Sequence, residues 1–239
     1  MDEGKAGMKG FDLSVSPDYV EDWTKWHLGR EGAKNVFDAE VDGCRGEIKY
    51  RPGLDEDSGT LVMKTYDAVL TRDKMVFGVS TSRGDERKTG EKGEGLKLMA
   101  LVAAREGLEL VIKTGDETWK PKIARSEQFK TNILRVDVTK RVPDGNVTIT
   151  VRPWSKSDWA TMKERLLKLQ TNVPGYETYT GKVLTAPHHK GKVYCKGIYV
   201  CDLPDKAAYG YDLYYVELDR DRRIPESWSL THNIRTTLL

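Results

Sequence analysis

The stretch TGEKGEGLKLMALVAAREG, residues 89–107, carries the clearest signal in the chain. Its glycines Gly90, Gly93 and Gly95 stand at GxxGxG spacing, directly before an apolar run that predicts a helix. Glycine lets the backbone approach an anion, and the N–H groups and positive dipole end of a helix N-terminus attract one. The segment therefore predicts a phosphate-binding loop at the start of a helix.

The two commonest glycine-rich phosphate motifs do not fit this stretch. A dinucleotide fingerprint needs a strand just before the glycines, whereas residues 82–92 read SRGDERKTGEK, a charged loop. A Walker A motif needs Lys and then Ser or Thr after its last glycine, but Gly95 is followed by Leu96 and Lys97. The loop must belong to another kind of phosphate site.

A polar pair upstream supports a ligand site. Residues 28–39 read LGREGAKNVFDA, which places Glu31 and Asn35 four positions apart, on one face of a predicted helix. Val36 and Phe37 are expected to pack into a core from the other side. The alternative is an ordinary amphipathic helix with two exposed polar residues.

The polar pair, the charged loop and the glycine helix, in this order, resemble the GHKL or Bergerat ATP-binding family. That family includes DNA gyrase, the ninety-kilodalton heat-shock chaperones, MutL, the histidine kinases and the MORC ATPases, and the chain is closest in character to phage-encoded members of unknown role. The resemblance implies an α/β fold of the α+β sandwich type, with a mixed, mostly antiparallel sheet and helices on one face. We expect this domain over residues 11–172 and a smaller β-rich lobe over residues 173–239.

The resemblance also implies roles for individual residues around ATP and Mg2+. Glu31 would be the general base that positions water, and Asn35 would be the Mg2+ ligand. The remaining residues expected to contact the nucleotide are Asp38 on the same helix, Ser80, Thr81 and Arg83 in the lid, and Gly90, Gly93, Glu94, Gly95, Leu96 and Lys97 at the glycine loop.

One family motif is missing. Residues 59–85 contain no D-x-G-x-G, whose Asp binds the adenine amino group in the family. Thr65 stands where that Asp is expected, Asp67 is the other candidate, and Val69 replaces a glycine. The identity of the nucleotide is therefore left open by the sequence.

Composition gives few further constraints. The 239 residues include 39 basic and 37 acidic ones, dispersed along the chain, so the net charge of +2 indicates no strong preference for nucleic acid or membranes. No apolar run reaches the length of a transmembrane helix, the start lacks a signal-peptide core, and we expect a cytoplasmic protein, in the host cytoplasm if it is phage-encoded. Cys44, Cys195 and Cys201 are an odd number and do not suggest a disulfide framework. His188, His189, Cys195 and Cys201 lack the close pairs of ligands that are usual in zinc sites.

A coarse assignment of elements follows from the periodicity. We predict helices at 18–39, 72–77, 96–106 and 155–169, and strands at 46–50, 60–65, 181–185, 192–201 and 211–218, with a further strand near residue 11. Two hairpins are predicted, one turning at Gly115 and Asp116, and one within residues 133–153 turning at 143–146. The arginines at 220, 222 and 223 form either a solvated turn or a contact to the γ-phosphate.

Two functions fit the sequence best. The first is a Mg-ATP-binding protein and slow ATPase, whose lid closure drives a conformational or partner-binding change. The second is a catalytically degenerate protein of the same fold that binds a host or self protein partner, including a homodimer. Nucleic-acid association is a third and less favoured class, because the charges are dispersed. Histidine kinase activity is not expected, because such a kinase needs a phospho-acceptor histidine on a dimerising helix hairpin. Only about 30 residues precede Glu31, and His27 lies on the same predicted helix as Glu31.

Overall fold

The chain folds as two compact units, Met1–Ala160 and Thr161–Leu239. A computed structural model describes residues 10–76, 94–203, 207–216 and 234–237. The boundary between the units lies within a helix, α3, at Lys156–Arg165. Both units contain mainly antiparallel strands and few helices, so the predicted α+β class is confirmed.

The first unit is built on a seven-stranded sheet and two helices. Its elements are β1 (Phe11–Leu13), α1 (Lys25–Val41), β2 (Gly46–Arg51), β3 (Gly59–Thr65), α2 (Gly95–Arg105), β4 (Glu109–Thr114), β5 (Glu117–Arg125), β6 (Asn132–Lys140) and β7 (Val147–Trp154). The strand order is β1-β6-β5-β4-β7-β3-β2, and every neighbouring pair is antiparallel. A short 3-10 helix, Arg72–Met75, precedes the first internal gap in the described residues.

One face of this sheet forms the core with α1 and α2. Met63, Ile149 and Ile112 are aligned across three neighbouring strands and are almost completely buried. Alternate residues of an antiparallel strand point to opposite faces, so the other face carries the polar side chains. Both helices contact the apolar face, which fixes their orientation over the sheet.

Helix α1 begins later than predicted. It starts at Lys25 rather than near residue 18, because Thr24 acts as its N-cap and the Thr24 N–H donates a hydrogen bond to His27 Nδ1 (3.0 Å). Before it, Val20 has a left-handed φ of 54°, which a continuous helix cannot contain. Residues 18–22 of the predicted helix are therefore turns, and residues 23 and 24 lead into α1.

The second predicted hairpin is wrong. β6 pairs with β5 and β1, whereas β7 pairs with β4 and β3, so the β4–β5 hairpin separates them. The segment that connects β6 to β7 passes the turn between β4 and β5. There the Arg141 N–H donates to Asp116 O (2.8 Å), and the Arg141 guanidinium donates to Gly115 O (3.0 Å). A turn pattern between two strands predicted local pairing, but β7 pairs instead along most of its length with β3 and β4, which are distant in sequence.

The second unit contains a five-stranded sheet. Its strands are β8 (Gly175–Glu177), β9 (Gly181–Leu184), β10 (Lys192–Cys195), β11 (Ile198–Asp202) and β12 (Gly210–Leu213). The order is β11-β10-β12-β9-β8, and only β10 and β12 are parallel. One buried cluster includes Val183, Val193 and Leu213, and 3-10 helices lie at Leu167–Leu169 and Pro187–His189.

Two predictions in this unit also need correction. Residues 192–201 are not one strand but the β10–β11 hairpin, because Lys196 and Gly197 both have left-handed φ values, 51° and 78°, and form its turn. Cys195 and Cys201 therefore lie on neighbouring strands. The predicted helix 155–169 ends at Arg165 and is followed by the 3-10 helix.

Candidate functional site

The N-terminus of α2 lies directly against α1. Gly95 is the first residue of α2, and a Cβ atom placed on it would be 2.4 Å from Glu31 Oε2. One residue further along α1, a Cβ on Gly32 would be 2.5 Å from Met63 Sδ. Gly95 thus allows α2 to approach Glu31 on α1, and Gly32 allows α1 to approach Met63 on β3. The structure brings Glu31 and the last glycine of the GxxGxG loop together.

Glu31 is the centre of a buried charge cluster. Its Oε1 lies 3.0 Å from Arg30 Nε and its Oε2 lies 2.8 Å from Lys34 Nζ. All three residues are about 3% exposed, although burial of a charge is costly unless the charge is paired. Arg30 also stacks over the ring of Trp23, 5.0 Å from its centroid. Two cations and one carboxylate therefore lie under the start of α2.

A further cation is contributed by α2 itself. Lys97 is fully buried, and burial lowers the pKa of its ammonium group, with Lys74 lowering it further and Glu94 raising it. The Lys97 and Leu98 N–H groups both donate to the Glu94 carbonyl oxygen at 3.0 Å, which closes the first turn. The helix dipole adds partial positive charge at the same point. The arrangement is suited to an anion that approaches the helix start.

The other predicted polar residues of α1 lie beside this cluster. Asn35 and Asp38 are half-buried, four and seven positions after Glu31, and so lie on the same side of the helix. An amide and a carboxylate oxygen are donors that Mg2+ accepts. They fit a Mg2+ ion by their chemistry and by their position on the helix.

Thr65, rather than Asp67, points toward the helices. Thr65 ends β3 on the helix-facing side and is buried, opposite Gly46 and Val147. Asp67 is exposed and has a left-handed φ of 53°, so the chain turns away there. Of the two residues predicted to contact the nucleotide here, only Thr65 therefore lies on the helix-facing side.

The loop after β3 is fixed to the neighbouring strand ends. The Leu70 N–H donates to Thr114 Oγ1 (2.7 Å), and Thr114 Oγ1 donates to Leu70 O (3.0 Å). The Ala68 N–H donates to Gly145 O (3.1 Å). Val69, in the same loop, is exposed. The loop is thus positioned by its own backbone contacts.

Several predicted contacts cannot be placed. Ser80, Thr81, Arg83, Gly90 and Gly93 lie outside the described residues, as do the arginines at 220, 222 and 223. Their roles stay predictions. Of the glycine loop, the structure describes only its end, from Glu94.

Two charged residues were missed by the sequence analysis. Arg30 and Lys34 flank Glu31 on α1, and the structure buries both against its carboxylate. The available signal was the Glu31–Lys34 spacing of three, which places opposite charges side by side on a helix. That spacing usually marks an exposed pair, and nothing in the sequence indicated that this one is buried.

None of the described helices has both the length and the apolar composition needed to cross a bilayer. Comparison of the chain with protein-family models and with curated proteins gives no match.

Proposed function

We propose that the first unit binds a Mg2+–nucleoside triphosphate, ATP by resemblance, where α1 meets α2. The observation that carries this proposal is the contact between Gly95 and Glu31, with its 2.4 Å distance from a would-be Cβ to Oε2. A glycine at a helix start, directly above a buried group of charges, is the arrangement expected of a phosphate site. The resemblance described above, which rests on the sequence order of the polar pair, the charged loop and the glycine helix, supports the same assignment.

The role proposed for each side chain follows from its charge. Lys34 and Lys97 supply positive charge to the phosphates, and the first amides of α2 donate hydrogen bonds to them. Asn35, with Asp38 beside it, would hold Mg2+, and the ion when bound would supply positive charge that offsets the charge of the phosphates. Lys34 is paired with Glu31 Oε2 before a nucleotide binds. A phosphate that attracts Lys34 would release this oxygen, which could then accept a proton from water.

A second candidate function is an interaction protein that keeps this fold without turnover. Both oxygens of Glu31 are engaged by cations, at 3.0 Å and 2.8 Å, which opposes action as a base. Thr65 offers a hydroxyl in place of a carboxylate for the base of the nucleotide. These two features favour weak, unselective nucleotide binding or none.

Titration calorimetry of the purified chain with ATP, with and without Mg2+, tests the proposal. We expect Mg2+-dependent binding that Asn35→Ala weakens by about tenfold or more, in line with loss of a metal ligand. Asn132→Ala, on the end of β6, is the matched control and should bind as the unaltered chain does. Absence of heat and of thermal stabilisation at millimolar ATP would reject nucleotide binding.

Phosphate release separates the two candidates. Release that is lost in Glu31→Gln, with binding retained, supports the ATPase. Binding of ATP without release by the unaltered chain supports the interaction protein. Release that survives Glu31→Gln contradicts the role assigned to Glu31.

A further inference from the structure

The side of the seven-stranded sheet that faces away from α1 and α2, here called the open face, gathers positive charge. The pairing register aligns its residues in rows across the strands, for example Lys113 on β4 with Thr118 on β5 and Thr148 on β7. Its basic residues are Lys49, Arg51, Lys64, Lys113, Lys120, Lys122, Arg135 and Arg152. Its acidic residues are Asp12, Glu47, Glu109 and Asp137.

The open face therefore has four more positive than negative charges, whereas the whole chain has a net charge of only +2. The basic residues are far apart in the sequence and alternate with apolar ones along the strands. Strand pairing brings them together, with neighbouring strands about 4.8 Å apart and successive side chains on one face about 6.7 Å apart. A flat, positively charged lattice of this kind complements a polyanion.

The acidic residues do not block this surface. Lys122 pairs with Asp137 at 2.5 Å, and Lys120 and Arg152 both lie 3.8 Å from Glu109. The side chains of Lys120, Lys122 and Arg152 are each about half exposed. Exposed ion pairs contribute at most about 1 kcal/mol, so phosphates can compete for these cations.

The uncharged residues of the open face restrict the kind of polyanion. None of the described strand residues on this face is aromatic. Tyr66, directly after β3, contacts Glu47 and Lys64 of this face, but Arg45 and Lys64 already lie over its ring, 3.8 Å and 4.2 Å from the centroid. The face therefore offers unpaired bases little on which to stack. Five threonines offer hydroxyl donors instead: Thr60, Thr118, Thr139, Thr148 and Thr150. Contacts to the phosphates alone, without stacking, favour a duplex over a single strand.

We propose that the open face binds double-stranded nucleic acid through its phosphates, without reading the base sequence. The surface lies on the opposite side of the sheet from α1 and α2, so the proposal does not depend on nucleotide binding. Binding is electrostatic, with dissociation constants in the range of about 1–100 μM and a steep salt dependence.

Fluorescence polarisation with a labelled 20-base-pair DNA duplex, over a salt series, tests the proposal. The test variant is Lys113→Gln with Lys120→Gln and Lys122→Gln, which keeps most of each side chain and removes three charges from the open face. The matched control is Lys130→Gln with Lys156→Gln and Lys163→Gln, which removes three exposed charges elsewhere. Thermal unfolding of both variants shows whether they stay folded.

We expect the test variant to bind more than about tenfold more weakly at 50 mM salt, and the slope of log K against log salt to fall by about 2.7, or 0.9 per lost phosphate contact. The control variant should bind as the unaltered chain does. Equal binding by the two variants, or no duplex binding at 50 mM salt, overturns the proposal. Tighter binding to vesicles containing phosphatidylserine than to the duplex would also overturn it, in favour of a membrane surface.

Discussion

The two units differ in the surroundings of their buried titratable side chains. In the first, the Glu31 carboxylate is buried between two cations, Arg30 and Lys34, at 3.0 Å and 2.8 Å. In the second, burial raises the pKa of the Asp212 carboxyl to about 6, with the Gly197 N–H donating to it at 2.8 Å. Burial also lowers the pKa of His189 there to about 4. The charges around Glu31 in the first unit are paired, whereas burial in the second unit favours the neutral forms of Asp212 and His189.

This difference supports the ligand site that we propose in the first unit. A protein gains little stability from buried ion pairs compared with apolar residues of the same size. Such pairs are therefore better explained by a role that needs charge, and the Glu31 cluster lies against the start of α2, where the proposed anion would bind. Asp212 and His189 are explained by packing in the second unit, where His189 Nε2 lies 2.8 Å from Gln170 Oε1.

The largest effect is expected from removal of Glu31. Glu31→Ala leaves Arg30 and Lys34 as buried cations without their carboxylate, which should cost about 3–5 kcal/mol in the free energy of unfolding. Urea unfolding measures this cost. Glu31→Ala combined with Lys34→Met should cost clearly less than the sum of the two single changes. Additive costs would mean that the pair is not coupled and would remove the contrast with the second unit.

A smaller loss of stability is expected when a side chain is added at Gly95, where α2 contacts α1. Gly95→Ala places a methyl group 2.4 Å from Glu31 Oε2, so the carboxylate must move away from its cations. We expect a loss of about 1–3 kcal/mol in stability, measured by urea unfolding, and weaker ATP binding. Ala104→Gly, near the other end of α2, should cost about 1 kcal/mol and leave ATP binding unchanged. Equal effects of the two changes on ATP binding would argue against a site at Gly95.

The second unit should gain stability when its buried carboxyl is made neutral. The folded pKa of Asp212 is about 6, above the usual value, so its contribution to stability is present below about pH 4 and is lost as the pH rises through 6. Asp212→Asn should therefore stabilise the chain by about 1–2 kcal/mol at pH 7.5 and have little effect at pH 4. Urea unfolding at both pH values measures this. Destabilisation at pH 7.5 would show that the charged form is required.

The smallest effect is expected at an exposed ion pair. Lys122→Ala removes the partner of Asp137 on the open face, where the lysine side chain is about half exposed. The change in unfolding free energy should be below about 1 kcal/mol. Thermal unfolding checks it. A larger loss would mean that the charges of the open face are needed for folding, as those around Glu31 are.

Local patterns predicted much of the fold. The apolar run after Gly95 gave α2 within one residue of its observed bounds, and the alternation before Thr65 gave β3. The Gly115 turn correctly predicted the β4–β5 hairpin. These elements follow from residues that are close in sequence, where periodicity and turn chemistry are strongest.

The errors come from interactions between distant residues. The order of strands places β7 next to β4 and β3, which no local pattern encodes. The burial of Lys34 and Arg30 is a second example, because it depends on the packing of α2 against α1. At the site, the sequence predicted Glu31 and Gly95 as separate motifs, and the structure adds their contact and the two cations beneath it.

The most direct test of the central claim is hydrogen–deuterium exchange of the full chain with and without Mg2+–ATP. We predict slower exchange in peptides that cover the start of α2 at Gly95 and the segment of α1 around Glu31 and Asn35, with no change in peptides from β8 to β12. Protection confined to the second unit, or none at saturating ATP, would contradict a nucleotide site where α1 meets α2.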